Sequence, residues 1–299
     1  MMTGLESRPD VHAPALPASA RLVFLGGLHR SGTTMLARML AEHPDVSGFD
    51  DTGVPADEGQ HLQDVYPVVS KGAQAGRFAL RDEAHLTERS PLVTAANRER
   101  LADCWAPHWD TERPWLLEKS PPNLLMTRFL QAMFPGRARF VLVVRHPIAV
   151  SGATQKWSST RPHQLLAHWA AAHRALRGDL PSLEHVMLVR YERLVADPDA
   201  ELARVYGFLG IGDHAPGRSV TVGVNSDNFA ADRRPYAGVN ERYFANWQAR
   251  KRSLAKRIYL DLCERRYGPE AARFGYSLRH LSEITPADPL VARLLGEGG

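Results

Sequence analysis

The sequence predicts an α/β fold in three layers, with a mainly parallel central sheet flanked by helices. Three observations predict it. Short apolar runs of strand length stand at Leu22 to Leu25, Trp115 to Leu117, Phe140 to Val144 and Val186 to Val189. Segments with helical spacing fill the gaps, so strand and helix alternate along the chain. The runs are continuous in Val, Leu and Phe rather than interleaved with polar residues, as expected of strands covered on both faces. Functional loops then follow the carboxyl ends of the strands.

The first strand leads into Gly26-Gly27-Leu28-His29-Arg30-Ser31-Gly32-Thr33-Thr34, and a helix follows with Met35, Leu36, Met39 and Leu40 on its apolar side and a stop before Pro44. Amides freed at a first helical turn point at a ligand, the helix dipole adds partial positive charge, and glycine lets an oxyanion approach. A phosphate-like group is therefore expected here, and the fold is of the P-loop type. Against the nucleotide-triphosphatase pattern G-x-x-x-x-G-K-[ST], Gly27, Gly32 and Thr34 match but Thr33 stands where the lysine belongs. That lysine serves the β- and γ-phosphates, so its loss argues for a donor with a shorter phosphate chain. Arg30 offers a forked cation instead.

The other strands end in polar clusters of their own: Glu118-Lys119-Ser120-Pro121, Arg145-His146-Pro147 and Arg190-Tyr191-Glu192. Cations at three strand tips beside a phosphate loop suggest a multiply anionic donor. Pro216 to Asn240, rich in Gly, Asn, Asp and Pro, reads as a long loop before a final helix. On that helix Trp247, Leu254, Ile258 and Leu262 mark the buried side, and Arg250-Lys251-Arg252 with Lys256-Arg257 form a solvated face. His163, His168 and His173 recur every five residues, which spreads them around a helix and argues against a metal site. Trp105, Trp109, Trp115 and Trp169 read as core.

Composition is that of a globular enzyme-sized chain: 299 residues, 44% hydrophobic and 23% charged, without a run of 18 apolar residues. Residues 1–20, rich in Ala and Pro, read as a mobile N-terminal tail without the features of a signal peptide, and residues 21–299 as one domain. Two cysteines, Cys104 and Cys263, are too few for a disulfide framework, so a cytoplasmic location is expected. The net charge of +4 is compatible with nucleic acid, acidic membrane or an anionic small ligand, and the basic residues are mostly dispersed.

Together these residues resemble the sulfotransferases that use 3′-phosphoadenosine 5′-phosphosulfate (PAPS), in the branch of bacterial and tyrosylprotein sulfotransferases. The resemblance runs from about residue 21 to 278. It rests on Arg30-Ser31-Gly32-Thr33-Thr34 with Met39 to Val46, on Phe140 to Pro147, on Tyr191-Glu192-Arg193-Leu194-Val195, on Phe208-Leu209-Gly210 and on Phe274-Gly275-Tyr276. It implies that Arg30, Ser31, Gly32, Thr33 and Thr34 hold the 5′-phosphosulfate and that Arg145 holds the 3′-phosphate. The family's usual serine eight residues after that arginine is Ala153 here, with Ser151 or Thr154 as substitutes. Arg30 and Lys119 match the family's transition-state cations. For the base, Asp51 aligns with the glutamate of the tyrosylprotein branch, Glu58 in Asp57-Glu58-Gly59-Gln60-His61 is an equal candidate, and His61 follows. Arg233 or Arg234 would close over the donor.

The resemblance thus implies transfer of a sulfuryl group from PAPS to a hydroxyl-bearing acceptor. Adenosine 3′,5′-bisphosphate (PAP) is the product, and no metal, no nucleic acid and no stable membrane insertion are expected. Two other classes share some of these features. A P-loop kinase would share the fold and the loop but needs the missing lysine. A non-catalytic nucleotide or nucleic-acid binding protein would share the basic balance but would not need Lys119 with a carboxylate beside the loop.

Overall fold

Residues 16–69, 76–156, 158–214 and 236–297 are described in the computed structural model. Five strands, β1 (Arg21–Gly27), β2 (Val46–Gly48), β3 (Trp115–Lys119), β4 (Ala138–Val144) and β5 (Val186–Arg190), form one parallel sheet in the order β2-β3-β1-β4-β5. The four apolar runs are strands, as the sequence predicts. β2 is an addition, because its three residues, Val46-Ser47-Gly48, are too few and too mixed to announce a strand.

Alternation along β1 assigns its side chains to two cores. Val23 and Leu25 face α1 (Thr33–Ala41), through Met35, Leu36, Met39 and Leu40, and α7 (Pro198–Leu209), through Leu202, Val205 and Leu209. Leu22 and Phe24 face the larger core, where α2 (Ala95–Trp105), α3 (Thr127–Met133) and α5 (Pro162–Asp179) contribute Leu101, Trp105, Phe129, Leu130 and Trp169. Trp109 and Trp115 are buried too. Burial of both sheet faces supplies the driving force for this layering, at about 25 cal/mol for each Å² of apolar surface removed from water.

The chain leaves β1 toward β2 and β3 on one side and toward β4 and β5 on the other, so crevices open at its carboxyl end. α4 (Pro147–Thr154) follows β4, and α6 (Tyr191–Ala196) follows β5. Register puts Leu25 opposite Lys119 and Gly27 opposite Val143, which brings the tips of β3 and β4 to either side of the β1 loop.

The C-terminal region differs from the sequence reading. A helix, α8 (Tyr236–Arg250), already begins inside the expected loop, whose residues 216–235 lie outside the described residues, as do Arg233 and Arg234. Two helices follow it, α9 (Leu254–Arg273) and α10 (Pro289–Leu295). The turn at 251–253 ends α8 before α9, so the apolar phase does not carry over: Trp247 is buried, but Leu254, Ile258 and Leu262 are exposed. α9 instead buries Leu260, Cys263 and Ala271. At the other end, residues assigned to the tail are fastened, since Arg137 donates to the carbonyls of Pro17 and Ala20, and Ala20 is buried.

Candidate active site

The loop after β1 presents backbone rather than side chains. Gly32 caps α1 at φ 101°, in the left-handed region, and no side chain bonds the first-turn amides. A Cβ on Gly32 would stand 2.4 Å from the Tyr191 ring, so only glycine fits both the angle and the contact. Arg30 also has positive φ, 69°, and its buried Nε has no hydrogen-bond partner among the described residues. Ser31 and Thr33 are buried and Thr34 is half-buried at the helix start. A helix start with no side-chain cap and no acid in its first turn leaves its dipole uncompensated, the local chemistry that suits an anion.

On the β3 side the polar groups are bonded to one another. Lys119 Nζ donates to the Ala56 carbonyl at 2.6 Å and to Glu58 Oε1 at 3.2 Å, with both side chains largely withdrawn from solvent. His61 Nε2 lies 3.7 Å from the other Glu58 oxygen. Beneath them Glu118 is fully buried: its carboxylate accepts from Ser120 Oγ at 2.6 Å and from Asn123 Nδ2. Ser120 Oγ in turn accepts the Gln60 amide at 2.9 Å, and Asn123 donates to the Leu25 carbonyl of β1. Burial pushes the Glu118 carboxyl up to about 7, against the opposing pull of Ser120, Asn123 and the Lys119 charge. Gly59 passes so close that a Cβ there would meet Glu118 Oε1 at 2.5 Å. A single buried carboxyl thereby ties the 58–61 segment, the tip of β3 and the strand that bears the loop.

Of the two base candidates, the fold brings Glu58 to Lys119. Asp51 is exposed, at φ 50°, and neither it nor Glu58 lines the adjoining cavity, which Lys119 borders. That cavity, about 480 Å³, is bounded by Thr34 and Lys119 at the loop end and by Arg38, Glu42, Asp50, Asp57, Asp110 and Arg113 along α1 and the edge of the sheet. Asp57 holds the intervening turn by accepting from the amide and hydroxyl of Thr52.

On the β4 side cations gather. Arg145 Nη1 donates to the Arg30 carbonyl at 2.8 Å, Nη2 to Asn240 Oδ1 at 3.0 Å, and the guanidinium lies 4.0 Å from the centre of the Tyr191 ring. Asn240 donates onward to Glu192, which also accepts from the His146 amide and Tyr276 hydroxyl. Ala153 turns away from any polar role: with Ala149 it packs on Tyr243. Ser151, in contrast, has a buried Oγ without a partner among the described residues, in a cavity of about 380 Å³ lined also by Gln155, Lys156, Arg242, Tyr243 and Arg250. Burial alone would raise the Tyr243 phenol, but the Arg242 hydrogen bond and the charges of Arg145, Arg242 and Lys156 outweigh it and lower it.

The amides at the start of α4 are taken: His146 Nδ1 accepts from Ile148, and the His146 carbonyl from Ala149 and Val150. Burial holds the His146 imidazole down to about 3, so it is the neutral acceptor this cap requires. His168 and His173 are likewise buried and lowered to about 3, one accepting the Ala79 amide and the other stacked on Trp169. Among the described residues no group of three or more His, Cys, Asp or Glu is arranged to hold a metal ion.

Sequence reasoning passed over Glu118, Asn123, Asn240, Tyr243, Lys156 and Arg242. Only Glu118 and Asn123, flanking Lys119-Ser120-Pro121-Pro122 at a strand tip, carried a signal that position alone could have raised.

With this geometry in view, the sequence profile of the sulfotransferase family matches residues 23–215. The chain belongs to the sulfotransferase family. Its similarity reaches the tyrosylprotein branch: it is 27% identical over 200 residues to protein-tyrosine sulfotransferase 2 of Gallus gallus, covering 64% of this chain and 51% of that protein. Against protein-tyrosine sulfotransferase 1 of Danio rerio it is 28% identical over 216 residues, covering 69% and 56%. The chain thus spans about half the length of these curated relatives. Among solved structures, the sulfotransferase domain from the Synechococcus PCC 7002 olefin synthase aligns with 81% of this chain and 92% of its own, at 22% identity and a TM-score of 0.48. The family's matched segment takes in β1 from Val23 onward, the other four strands and every site residue described up to α7, and leaves α8, with Asn240, Arg242 and Tyr243, outside.

Proposed function

We propose that this chain is a PAPS-dependent sulfotransferase of P-loop type that forms a sulfate ester on a hydroxyl acceptor. The observation that carries the reading is the position of Lys119 and Glu58, 3.2 Å apart, at the strand tip next to a loop of uncapped amides, with Arg145 on the opposite flank. An anion with two charged ends suits such a cradle. The orphaned Ser151 hydroxyl among Lys156, Arg242 and Arg250 fits a second phosphate and supports a 3′-phosphorylated nucleotide over a simple triphosphate.

In this reading the amides and hydroxyls of Ser31 to Thr34 hold the phosphosulfate, with Arg30 beside it. Glu58 accepts the proton of the acceptor hydroxyl as its oxygen bonds to sulfur, and the sulfur–oxygen bond to the 5′-phosphate breaks in line. Lys119 and Arg30 stabilise charge on the transferred group and the leaving phosphate oxygen, so positioning and electrostatics supply most of the rate. Asp51 is the weaker candidate because it stands exposed, whereas Glu58 is withdrawn from solvent and paired with Lys119. The cavity bounded by Thr34 and Lys119 is the space we assign to the acceptor.

Calorimetric titration with PAP, with ATP–magnesium and GTP–magnesium as controls, tests the donor class. Selective PAP binding that Arg145→Ala weakens is expected. Binding of ATP or GTP with no response to PAP overturns the reading in favour of a kinase-like protein.

A further inference from the structure

The outward face of α9 is built unlike the rest of the surface. Leu254 is 63% exposed, Ile258 54%, Leu262 58% and Tyr259 37%, four of the six large apolar side chains exposed among the described residues. At 100° per residue, positions 254, 258 and 262 lie in one stripe, Ala255 and Tyr259 border it, and Arg265 and Arg266 project from the same side one turn further on. A helix face turned to water normally carries the opposite pattern. The inner face is satisfied independently through Leu260, Cys263 and Ala271 and through Glu264, which accepts from Trp247 and pairs with Lys251.

The unpaired charge on α9 and in the turn before it has one sign, and Asp261, which borders the stripe, is paired with Lys251. Arg252, Lys256, Arg257, Arg265 and Arg266 are exposed and form no ion pair among the described residues. The carboxylates of α9 are spent elsewhere: Asp261 and Glu264 on Lys251, and Glu270 on Arg174 and Arg177. We infer that this face docks on an anionic lipid surface, with Leu254, Ile258 and Leu262 entering the headgroup boundary and the arginines reaching lipid phosphates. A second copy of the chain is the poorer occupant, because a two-fold contact would set the same arginines against each other. The face is a single convex helix without a groove, which a lipid surface accepts; long Arg and Lys stems can lie along the apolar stripe with their charges at the headgroups. The inference is independent of the donor and of the reaction proposed above.

Vesicle co-sedimentation of the full chain tests it. Phosphatidylcholine vesicles and vesicles of phosphatidylcholine with phosphatidylglycerol are compared at low and high salt. At least about tenfold stronger binding to the anionic vesicles, falling with salt, is expected, as several basic residues near such a surface should give. The triple variant L254S/I258S/L262S should lose that binding, and so should R257E/R265E/R266E, with unchanged thermal unfolding in both because all six positions are exposed. Three outcomes overturn the inference. They are equal partition to neutral and anionic vesicles, undiminished binding by the L254S/I258S/L262S chain, or absence of vesicle binding together with self-association that this variant abolishes.

Discussion

The two flanks of the β1 loop are built on opposite plans. On the β3 side every charge has its counterpart: Lys119 has Ala56 and Glu58, and Glu118 has Ser120 and Asn123. On the β4 side Lys156, Arg242 and Arg250 line the cavity where Ser151 Oγ has no partner among the described residues, and the Arg145 guanidinium lies 5.7 Å from the centre of the Tyr243 ring that also lines it. A region whose charged groups are already held by partners before anything binds is suited to holding reacting groups in fixed geometry, even though Asn123 Oδ1 has no partner among the described residues. A cationic region with an orphaned donor is suited to receiving an anion, whose arrival removes both the repulsion and the unsatisfied group.

The largest effect that could break this comparison is on the β3 side. Lys119→Ala should lower kcat by about a thousandfold or more while PAP still binds, since electrostatic groups at a transition state commonly contribute that much. Calorimetry alongside steady-state rates decides it, and a rate near that of the parent would make Lys119 structural. Glu58→Gln should lower kcat by about a hundredfold or more and remove the acidic limb of the pH profile, as loss of a general base does. Asp51→Asn should leave that limb in place.

On the β4 side Arg145→Ala should weaken PAP binding by about ten- to a hundredfold, the value of a charged hydrogen bond, with the larger share in affinity rather than in kcat. Ser151→Ala should cost about fivefold in the same titration, near 1 kcal/mol for one neutral hydrogen bond. If removal of Ser151 strengthens binding instead, the cavity beside α8 is not the phosphate site.

The last effect bears on stability rather than on binding or rate: it concerns Glu118, and its sign is fixed by burial. The carboxyl is raised to about 7 in the folded chain from 4.5, so between these values the folded state keeps a proton that the unfolded state releases. Stability should therefore fall as pH rises through that window and level off above it. Urea denaturation at about pH 5 and about pH 8 measures the slope, and Glu118→Gln should flatten it. An unchanged slope would mean that other groups carry the pH dependence.

Much of the fold was legible because it rests on local pattern. Apolar runs in the order found, the glycine loop and the helix Met35 to Leu40 are short-range signals, and each reappears as β1, β3, β4, β5 or α1. The candidate site was legible at Arg30 to Thr34, Lys119 and Arg145 for the same reason, since strand tips of a parallel sheet converge. β2 was too short to read, and the apolar stripe at 254, 258 and 262 pointed to the wrong side because periodicity reports that a face is apolar and not what covers it.

The sequence by itself determined the alternation of strand and helix, the glycine loop at the start of α1 and which cations stand at strand ends. Only the tertiary structure decided that Glu58 rather than Asp51 meets Lys119, that Glu118 ties the two together from below, and that Tyr243 covers Ala153 while Ser151 opens into a basic cavity. The physical reason is range. Backbone pattern is set by neighbours a few residues apart, whereas these contacts join residues up to about a hundred positions apart, and their burial and charge exist only once the sheet has brought them together.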